Sequence, residues 1–192
     1  MFVVEARDLG YKIEEREIFS NLNFEIKEGE KKLLVGKNGS GKSSLLGILQ
    51  GFLTPSFGEV RRSRELKTAY LFQESLVQFI APSVLEDVAF SLIAKEGHSQ
   101  TQAFKKAKEI LERLQIPHLA QSSIFSLSGG EKRLVAIAGV LVCECDLYLL
   151  DEPFNELDSK RCKIVEEMIL EKKGGVLLAS HQAIEWENKM VL

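Results

Sequence analysis

Residues Gly36 to Ser43 read GKNGSGKS, an order of glycine, lysine and serine that is suited to holding phosphate groups. Glycine lets successive backbone N–H groups turn toward phosphate oxygens without a Cβ in the way, and a helix that starts there adds partial positive charge. Lys42 would reach the β- and γ-phosphates of a nucleoside triphosphate, and the Ser43 hydroxyl would be a ligand of Mg²⁺, which prefers oxygen. The sequence therefore predicts a nucleotide site, and the alternative is a glycine-rich turn without a ligand. The residues expected to contact the nucleotide are Gly36, Lys37, Asn38, Gly39, Ser40, Gly41, Lys42, Ser43 and Ser44.

The residues on either side of this phosphate loop predict the strand and the helix that it needs. Leu33 to Val35 form a short apolar run, which is typical of a buried strand. Leu45, Leu46 and Leu49 recur at one-turn spacing and give the next segment the apolar face of a helix. A strand, a glycine-rich loop and a helix in this order are the context in which such loops bind phosphate.

Two further apolar runs lead into polar side chains. Leu147 to Leu150 precede Asp151 and Glu152, and Val176 to Ala179 come just before His181. Both runs are typical of central parallel strands, and ligands of open α/β sheets bind at the carboxyl ends of such strands. We therefore expect Asp151 to hold Mg²⁺ through its water shell, and Glu152 to orient or activate the water that attacks a phosphate. The alternative is that the two carboxylates only cap the next turn.

A second glycine-rich segment, Leu127 to Glu131, precedes apolar residues at helical spacing. Ser128 and Glu131 have the spacing of a capping box, which is a structural role. Gly129 and Gly130 would leave N–H groups at the helix start open to an anion. The segment can therefore serve as a phosphate site of its own.

These patterns predict an α/β fold with a mostly parallel central sheet. The alternation of Leu22, Phe24 and Ile26 with polar residues predicts antiparallel strands in the N-terminal part. Ser99 and Gln102 form a capping-box pattern ahead of a helix, within a helical insertion that we place at about residues 75–134. We expect a single domain over residues 1–192.

Composition narrows the class of protein. Acids and bases are interspersed and the net charge is −3, so no basic footprint suggests nucleic acid as a partner. No stretch approaches the roughly 20 consecutive apolar residues that cross a bilayer, and the N-terminus has no secretory pattern. Cys143, Cys145 and Cys162 are an odd number without metal-type spacing, which fits a reducing compartment. Cys143 and Cys145 adjoin a strand pattern, and we interpret them as packing residues rather than a redox or metal pair.

Taken together, the motifs resemble the nucleotide-binding domain of ATP-binding-cassette ATPases over essentially the whole chain. The matching motifs in chain order are Gly36–Ser43, Gln73, Leu127–Glu131, Leu147–Glu152, Asn155–Asp158 and His181. The resemblance implies a P-loop NTPase core with a mostly parallel central sheet, an N-terminal antiparallel β subdomain and a helical insertion. It also implies that the chain binds and hydrolyses ATP with Mg²⁺.

The resemblance further implies a dimer in which two ATPase subunits lie head to tail. ATP would be enclosed between the phosphate loop of one subunit and the signature, Ser128 to Glu131, of the other. By the same correspondence Gln73 senses Mg²⁺ and the attacking water, Asp158 lies in a loop that couples the two sites, and His181 contacts the γ-phosphate. The sequence leaves open whether the two subunits are identical.

Some positions depart from the family pattern. The family usually stacks adenine on an aromatic residue at the position of Ile13, so either Ile13 makes an apolar contact with the base or Tyr11 moves to reach it. The sequence ends at Leu192, and we expect no appended regulatory domain, which is compatible with pairing to a fuller, non-identical ATPase.

A narrower resemblance lies in two segments, Phe79 to Phe90 and Val135 to Leu141. They are similar to the ATPases of energy-coupling-factor importers, which take up vitamins or transition-metal ions. The resemblance implies a peripheral subunit at the cytoplasmic face of the cell membrane, bound to a transmembrane coupling protein through the region Gln73–Ser91. The alternative is that the apolar residues of this region, Phe79, Ile80, Val84, Val88 and Phe90, only pack the insertion.

The sequence thus predicts an ATP-hydrolysing subunit that powers a small-solute importer. An alternative is a soluble nucleotide-gated switch, and another is a scaffold that binds ATP to dimerise and hardly turns over. Glu152 argues against the scaffold, because loss of that carboxylate is the expected mark of a degenerate site.

Overall fold

The computed structural model describes residues 2–182 and 184–192. The strands are β1 (Phe2–Ile13), β2 (Arg16–Lys27), β3 (Lys31–Val35), β4 (Phe57–Arg62), β5 (Thr68–Leu71), β6 (Leu147–Asp151), β7 (Gly175–Ser180) and β8 (Lys189–Val191). The α-helices are α1 (Lys42–Gln50), α2 (Val84–Glu96), α3 (Gln100–Arg113), α4 (Gly129–Leu141) and α5 (Ser159–Leu170). Short 3₁₀ turns lie at Ser75–Gln78, Pro117–Leu119 and Ile124–Ser126. Over the described ranges none of the helices has the length and hydrophobicity needed to span a bilayer.

A three-stranded antiparallel sheet has the order β2-β1-β4. Strands β1 and β2 form a long hairpin from the pair Phe2 and Lys27 to the pair Ile13 and Arg16. Glu14, in the turn between them, has a φ of 54°, the left-handed conformation that tight hairpin turns require. The antiparallel N-terminal part predicted from the sequence is therefore confirmed.

The second sheet has five strands in the order β5-β6-β7-β3-β8. Strand β3 pairs in parallel with β7 and β8, and β6 pairs in parallel with β7. Strands β6 and β7 are buried along their whole length, which explains why their sequences are continuous apolar runs instead of alternating ones. Val35 is paired with Ser180, and Asp151 with Ala179, so β3, β6 and β7 end at the same edge of the sheet. The predicted functional residues follow these strands and therefore start at this edge of the sheet.

The chain divides into two compact units. The first comprises residues 1–70, 145–152 and 172–192, and its core packs α1 and the antiparallel sheet with strands β3, β6 and β7. The core residues of α1 are Leu45, Leu46, Ile48 and Leu49, each at most 1% exposed. The apolar helix face predicted from the leucine spacing is thus buried as expected.

The second unit comprises residues 71–144 and 153–171. Helix α2 packs against α3 and α4, and α4 also contacts α5. The capping box predicted for α3 is present, because Ser99 and Gln102 exchange side-chain and backbone hydrogen bonds at the helix start. Val84 and Val88 of α2 are fully buried.

Candidate functional site

The phosphate loop joins β3 to α1 within the first unit. Gly41, the residue before α1, has a φ of 99°, which an L-residue rarely adopts. A Cβ at this position would also lie 2.5 Å from Cγ2 of Ile18 and 3.0 Å from a ring carbon of Phe19. The β1–β2 hairpin therefore packs directly on the loop, and only glycine fits at the point of contact.

Lys42, the first residue of α1, is 6% exposed and its ammonium folds back over the loop. Its Nζ donates hydrogen bonds to the carbonyl oxygens of Gly36, at 2.8 Å, and Lys37, at 3.3 Å. The same Nζ lies 3.5 Å from Oε1 of Glu152. A fixed cation therefore stands at the start of a helix, where an anionic ligand is favoured.

Glu152 follows β6 directly and is 4% exposed. Its Oε2 lies 2.9 Å from Nδ1 of His181 and accepts a hydrogen bond from the His181 backbone N–H at 3.3 Å. Its backbone N–H donates to the carbonyl oxygen of Ala179. The structure thus brings together Lys42, Glu152 and His181, which the sequence places in three distant segments.

The backbone of Glu152 has a φ of 49°. A left-handed conformation at a non-glycine residue costs about 1 kcal/mol, and such strain is typical of functional sites that the surrounding structure holds in place. Here the carboxylate contacts to Lys42 and His181, together with the hydrogen bond to Ala179, fix that conformation. The carboxylate is therefore held in one orientation at the edge of the sheet.

Asp151 ends β6 and is 2% exposed. Burial and, to a lesser extent, the nearby charge of Asp151 raise the pKa of Tyr70 well above its ordinary value, so this phenol stays neutral. Among residues 2–182 and 184–192 no group of three or more His, Cys, Asp or Glu side chains could hold a metal ion. A carboxylate such as Asp151 and a hydroxyl such as that of Ser43 are nevertheless oxygen ligands of the type that Mg²⁺ uses alongside phosphate oxygens and water.

Tyr11 and Ile13, the candidates for contact with the base, lie on β1 in the same unit. The Tyr11 ring packs against the Phe19 ring, with centroids 6.1 Å apart and planes tilted by 33°. Ile13 is 51% exposed. An exposed aliphatic side chain offers the base an apolar contact without aromatic stacking.

Gln73 belongs to the second unit and is exposed just after β5. Its backbone carbonyl accepts a hydrogen bond from Nη1 of Arg133 at 3.1 Å. The side chain lines a surface groove of about 440 Å³ together with Leu76, Gly129 and Glu156. The signature and Gln73 therefore meet in one groove within this unit.

The signature begins α4, and its predicted capping box is confirmed. The Ser128 hydroxyl accepts from the backbone N–H of Glu131 at 3.4 Å, and Oε2 of Glu131 accepts from the backbone N–H of Ser128 at 2.8 Å. The hydrogen bonds from Ser128 hold the pKa of the Glu131 carboxyl below its usual value. The start of this helix is thus held by side-chain hydrogen bonds, which suits either a structural or a binding role.

Glu156, which the sequence did not single out as a site residue, packs on both signature glycines. A Cβ at Gly129 would clash with Oε2 of Glu156, and a Cβ at Gly130 would lie 2.8 Å from the Glu156 carbonyl oxygen. Glu156 itself has a φ of 66°. Asp158, two residues on, caps α5 by accepting from the backbone N–H of Arg161 at 2.9 Å.

The region predicted to dock on a membrane partner has both buried and exposed apolar residues. Leu76 and Val77 are each 60% exposed and Ile80 is 67% exposed, whereas Val84 and Val88 are buried in the unit. Asp87 fixes this segment by accepting from the backbone N–H groups of Ile80, at 2.6 Å, and Ala81, at 2.9 Å. Phe125, which the sequence did not indicate as a surface residue of interest, is 80% exposed three residues before the signature begins at Ser128.

Comparison with known proteins identifies the family. The family model described as ABC transporter matches residues 19–155, which is more than half of the chain. The chain belongs to this family. It carries the ABC-type ATPase domain, and the predicted α/β fold agrees with that of the solved ABC cassettes described below.

Two curated relatives illustrate the similarity. The ABC domain is 42% identical over 162 residues to a putative ABC transporter ATP-binding protein of Methanopyrus kandleri, covering 79% of this chain and 60% of the relative. It is 32% identical over 203 residues to the energy-coupling factor transporter ATP-binding protein EcfA of Methanocaldococcus jannaschii, covering 96% of this chain and 72% of the relative. The chain therefore spans less than two thirds of the length of the first of these relatives.

Solved ABC structures are also similar. CbiO1 from Clostridium perfringens, described as part of the ABC transporter complex cbiONQ, has a TM-score of 0.77 and 29% identity, covering 94% of this chain and 79% of that one. The ATP-binding cassette MJ0796, a dimer in a post-hydrolysis state bound to ADP and Pi, has a TM-score of 0.80 and 28% identity, covering 93% of this chain and 88% of that one.

Proposed function

We propose that this chain binds ATP with Mg²⁺ and hydrolyses it to power a small-solute membrane importer of the energy-coupling-factor type. The observation that carries the hydrolytic part is the Glu152 carboxylate, buried at the phosphate loop between Lys42 Nζ and His181 Nδ1. A site that only binds nucleotide has no need of a carboxylate beyond the one that holds the metal ion.

The residues of the first unit suit the binding of ATP. The backbone N–H groups of residues 36–43 and the start of α1 would receive the phosphates, and Lys42 would exchange its carbonyl contacts for β- and γ-phosphate oxygens. Ser43 and Asp151 would hold Mg²⁺, whose charge neutralises the phosphates during transfer. Tyr11 and Ile13 are the candidates for contact with adenine.

Hydrolysis then depends on orientation and charge. Glu152 would accept a proton from, or orient, the attacking water, because its carboxylate is held at the sheet edge by two neighbours. His181 fixes that carboxylate through Nδ1, which leaves Nε2 to meet the γ-phosphate. Gln73 would contact the metal ion and the water.

The proposal includes two protein partners. A second ABC ATPase subunit, identical or not, would place its phosphate loop against Ser128–Glu131 of this chain, with Asp158 in the coupling loop. The dimeric state of the similar cassette MJ0796 supports the presence of a second subunit. A transmembrane coupling protein would bind the region Gln73–Ser91, where Leu76, Val77 and Ile80 are exposed. These contacts would place the chain at the cytoplasmic face of the membrane.

The energy-coupling-factor assignment, with vitamins or transition-metal ions as solutes, rests on named relatives and on motifs. EcfA of Methanocaldococcus jannaschii and EcfA2 of Methanospirillum hungatei are both 32% identical to this chain, and the structural neighbour CbiO1 is part of cbiONQ. The segment Val135–Leu141, in which the sequence showed the same resemblance, lies in α4.

Replacing Glu152 by Gln tests the hydrolytic role. We expect Glu152→Gln to bind ATP as tightly as the parent and to lose turnover by at least about a hundredfold, since the amide cannot accept the proton. ATP binding is measured by equilibrium titration and turnover by phosphate release. The matched control is Glu65→Gln, another glutamate with a positive φ, which lies outside the site and should turn over at the parent rate. Turnover of Glu152→Gln at the parent rate would show that Glu152 is not the base.

The same variant tests the transporter role. Glu152→Gln purified from membranes in mild detergent with ATP should remain a dimer and bring a polytopic membrane protein with it. A homodimer without a membrane partner would instead favour the soluble switch.

A further inference from the structure

Arg133 lies in α4 with only 1% of its surface exposed. A guanidinium stays charged at any ordinary pH, and burial of a charge is costly unless hydrogen bonds compensate for it. We therefore expect this buried cation to have a specific structural role.

The hydrogen bonds of Arg133 reach two segments that are distant in sequence. Nη1 donates to the carbonyl oxygens of Phe72, at 2.7 Å, and Gln73, at 3.1 Å. Nε donates to the carbonyl oxygen of Pro153 at 3.3 Å. One side chain thus holds two backbone segments, one that lies 60 residues before Arg133 in the sequence and one that lies 20 residues after it.

Both segments begin the second unit. The chain enters this unit at Leu71, just before Phe72 and Gln73, and enters it again at Pro153, the residue after Glu152. Arg133 is also one helical turn beyond Gly129 on α4. The signature, the Gln73 segment and the peptide that follows Glu152 are therefore joined at one guanidinium.

The Gln73 segment is held from a second side. The backbone N–H of Phe72 donates to Oε1 of Gln78 at 3.1 Å, so the N–H and the carbonyl of Phe72 are both bonded. The Gln73 side chain is exposed, and its direction depends on the backbone from which it projects. Arg133 fixes that backbone at Gln73 itself.

We propose that Arg133 is a positioning residue for ATP hydrolysis. Arg133 fixes the position of the Gln73 backbone relative to the signature end of α4. It also fixes the position of the residue that follows Glu152. This inference rests on the proposed function, because it takes hydrolysis to require both Gln73 and Glu152. Displacement of a reacting group by about 1 Å can reduce a rate by about a hundredfold.

The geometry requires arginine in particular. The planar guanidinium donates in two directions at once, toward Phe72 and Gln73 through Nη1 and toward Pro153 through Nε. A lysine ammonium is a compact donor at the end of a flexible stem and would satisfy one segment at a time. The Arg133→Lys variant should therefore keep the stability of the fold more fully than it keeps ATP turnover.

The experiment compares Arg133→Lys and Arg133→Met with Arg62→Lys and Arg62→Met. Arg62 is a matched control, because its Nε and Nη2 donate to the carbonyl oxygens of Leu49, at 3.1 Å, and Ile48, at 2.9 Å, at the end of α1. We expect Arg133→Met to lower kcat by at least about tenfold and Arg133→Lys by less, with KM and the Kd for ATP within about twofold of the parent. All measurements are made well below each variant's unfolding temperature. The Arg62 variants should lower the unfolding temperature without changing kcat.

Hydrogen exchange provides a readout independent of turnover. Amides of residues 72–82 should exchange faster in Arg133→Lys than in the parent, while those of β6 and β7 stay unchanged. If Arg133→Met fails to fold, the comparison of Arg133→Lys with the parent decides whether the inference holds. Parent-like kcat in a folded Arg133 variant, or unchanged exchange at residues 72–82, would overturn the inference. If the parent itself does not hydrolyse ATP, the proposed function fails, and the exchange measurement still decides whether Arg133 orders this segment.

Discussion

The Asp87 side chain orders a segment of this ABC domain outside the proposed nucleotide site. Asp87 is 8% exposed, and its carboxylate accepts from the backbone N–H groups of Ile80 and Ala81, which orders the segment that exposes Ile80. Burial raises the pKa of Asp87, and the two hydrogen bonds offset part of that rise.

This pKa shift predicts how stability depends on pH. Because the folded-state pKa lies above the unfolded value of about 4, the folded state binds more protons, and the contribution of Asp87 to the free energy of unfolding falls as pH rises through that window. Asp87→Asn keeps an acceptor oxygen and removes the titration. We therefore expect the Asn variant to gain stability relative to the parent as pH is raised from about 4 to above the folded-state pKa.

Urea unfolding of the parent and Asp87→Asn at a series of pH values measures this difference. A stability difference that stays constant with pH, or that shifts toward the parent as pH rises, would contradict the prediction. Asp87→Ala also removes the titration, so its stability relative to the parent should follow the same pH trend as that of Asp87→Asn, displaced by a loss of about 1 kcal/mol because no acceptor remains.

Glu152 shows what was foreseeable at the residue scale. Its position after an apolar run predicted a carboxylate at the end of a buried strand, and the structure places it at the sheet edge as expected. Its contact with Nδ1 of His181 was not predictable, because it depends on β6 and β7 being neighbours in a sheet.

At the scale of elements, α4 contains two glycines at which an added Cβ would clash and one at which an added Cβ would have room. A Cβ at Gly130 would meet the carbonyl oxygen of Glu156 at 2.8 Å, and backbone cannot move aside cheaply. A Cβ at Gly139 would have nothing within 4 Å. The same substitution in one helix should therefore have opposite effects on stability.

We expect Gly139→Ala to raise the free energy of unfolding by about 0.5–1 kcal/mol, the usual gain for alanine over glycine inside a helix. Gly130→Ala should lower it by about 1–3 kcal/mol through steric overlap. Urea denaturation followed by circular dichroism gives both values. Stabilisation by Gly130→Ala would mean that Glu156 does not press on α4 in solution.

Most elements were predictable, because their apolar residues follow a helical or a strand period. Both capping boxes, at Ser99 and Ser128, were read correctly from spacing alone. The burial of Arg133 was not predictable, since its partners lie 20, 60 and 61 residues away. The packing of Glu156 on Gly129 escaped prediction for the same reason.

At the scale of the whole molecule, this ABC domain is expected to work with partners. The exposed apolar residues Leu76, Val77 and Ile80 lie on one short segment that hydrogen bonds to Asp87 and Gln78 keep ordered. Ordered apolar side chains in water are typical of binding surfaces, because their burial by a partner is favourable by about 25 cal/mol per Å².

Ile80→Glu should therefore weaken binding to the proposed membrane partner and leave ATP binding and hydrolysis intact. The substitution places a charge on a surface that a partner would desolvate, whereas the residue lies outside the nucleotide contacts. Affinity purification from detergent-solubilised membranes, with the ATPase as bait, measures how much membrane protein is retained. We expect at least about tenfold less with Ile80→Glu than with the parent.

The matched control is Leu170→Glu at the end of α5, an apolar residue of similar exposure, 48% against 67%, outside the proposed docking region. It should retain the membrane partner at the parent level. Equal loss in both variants would indicate general apolar adhesion instead of docking at the region Gln73–Ser91, and equal retention in both would mean that Ile80 lies outside the contact. Only selective loss with Ile80→Glu, with ATP binding unchanged, supports a coupling protein seated on this segment.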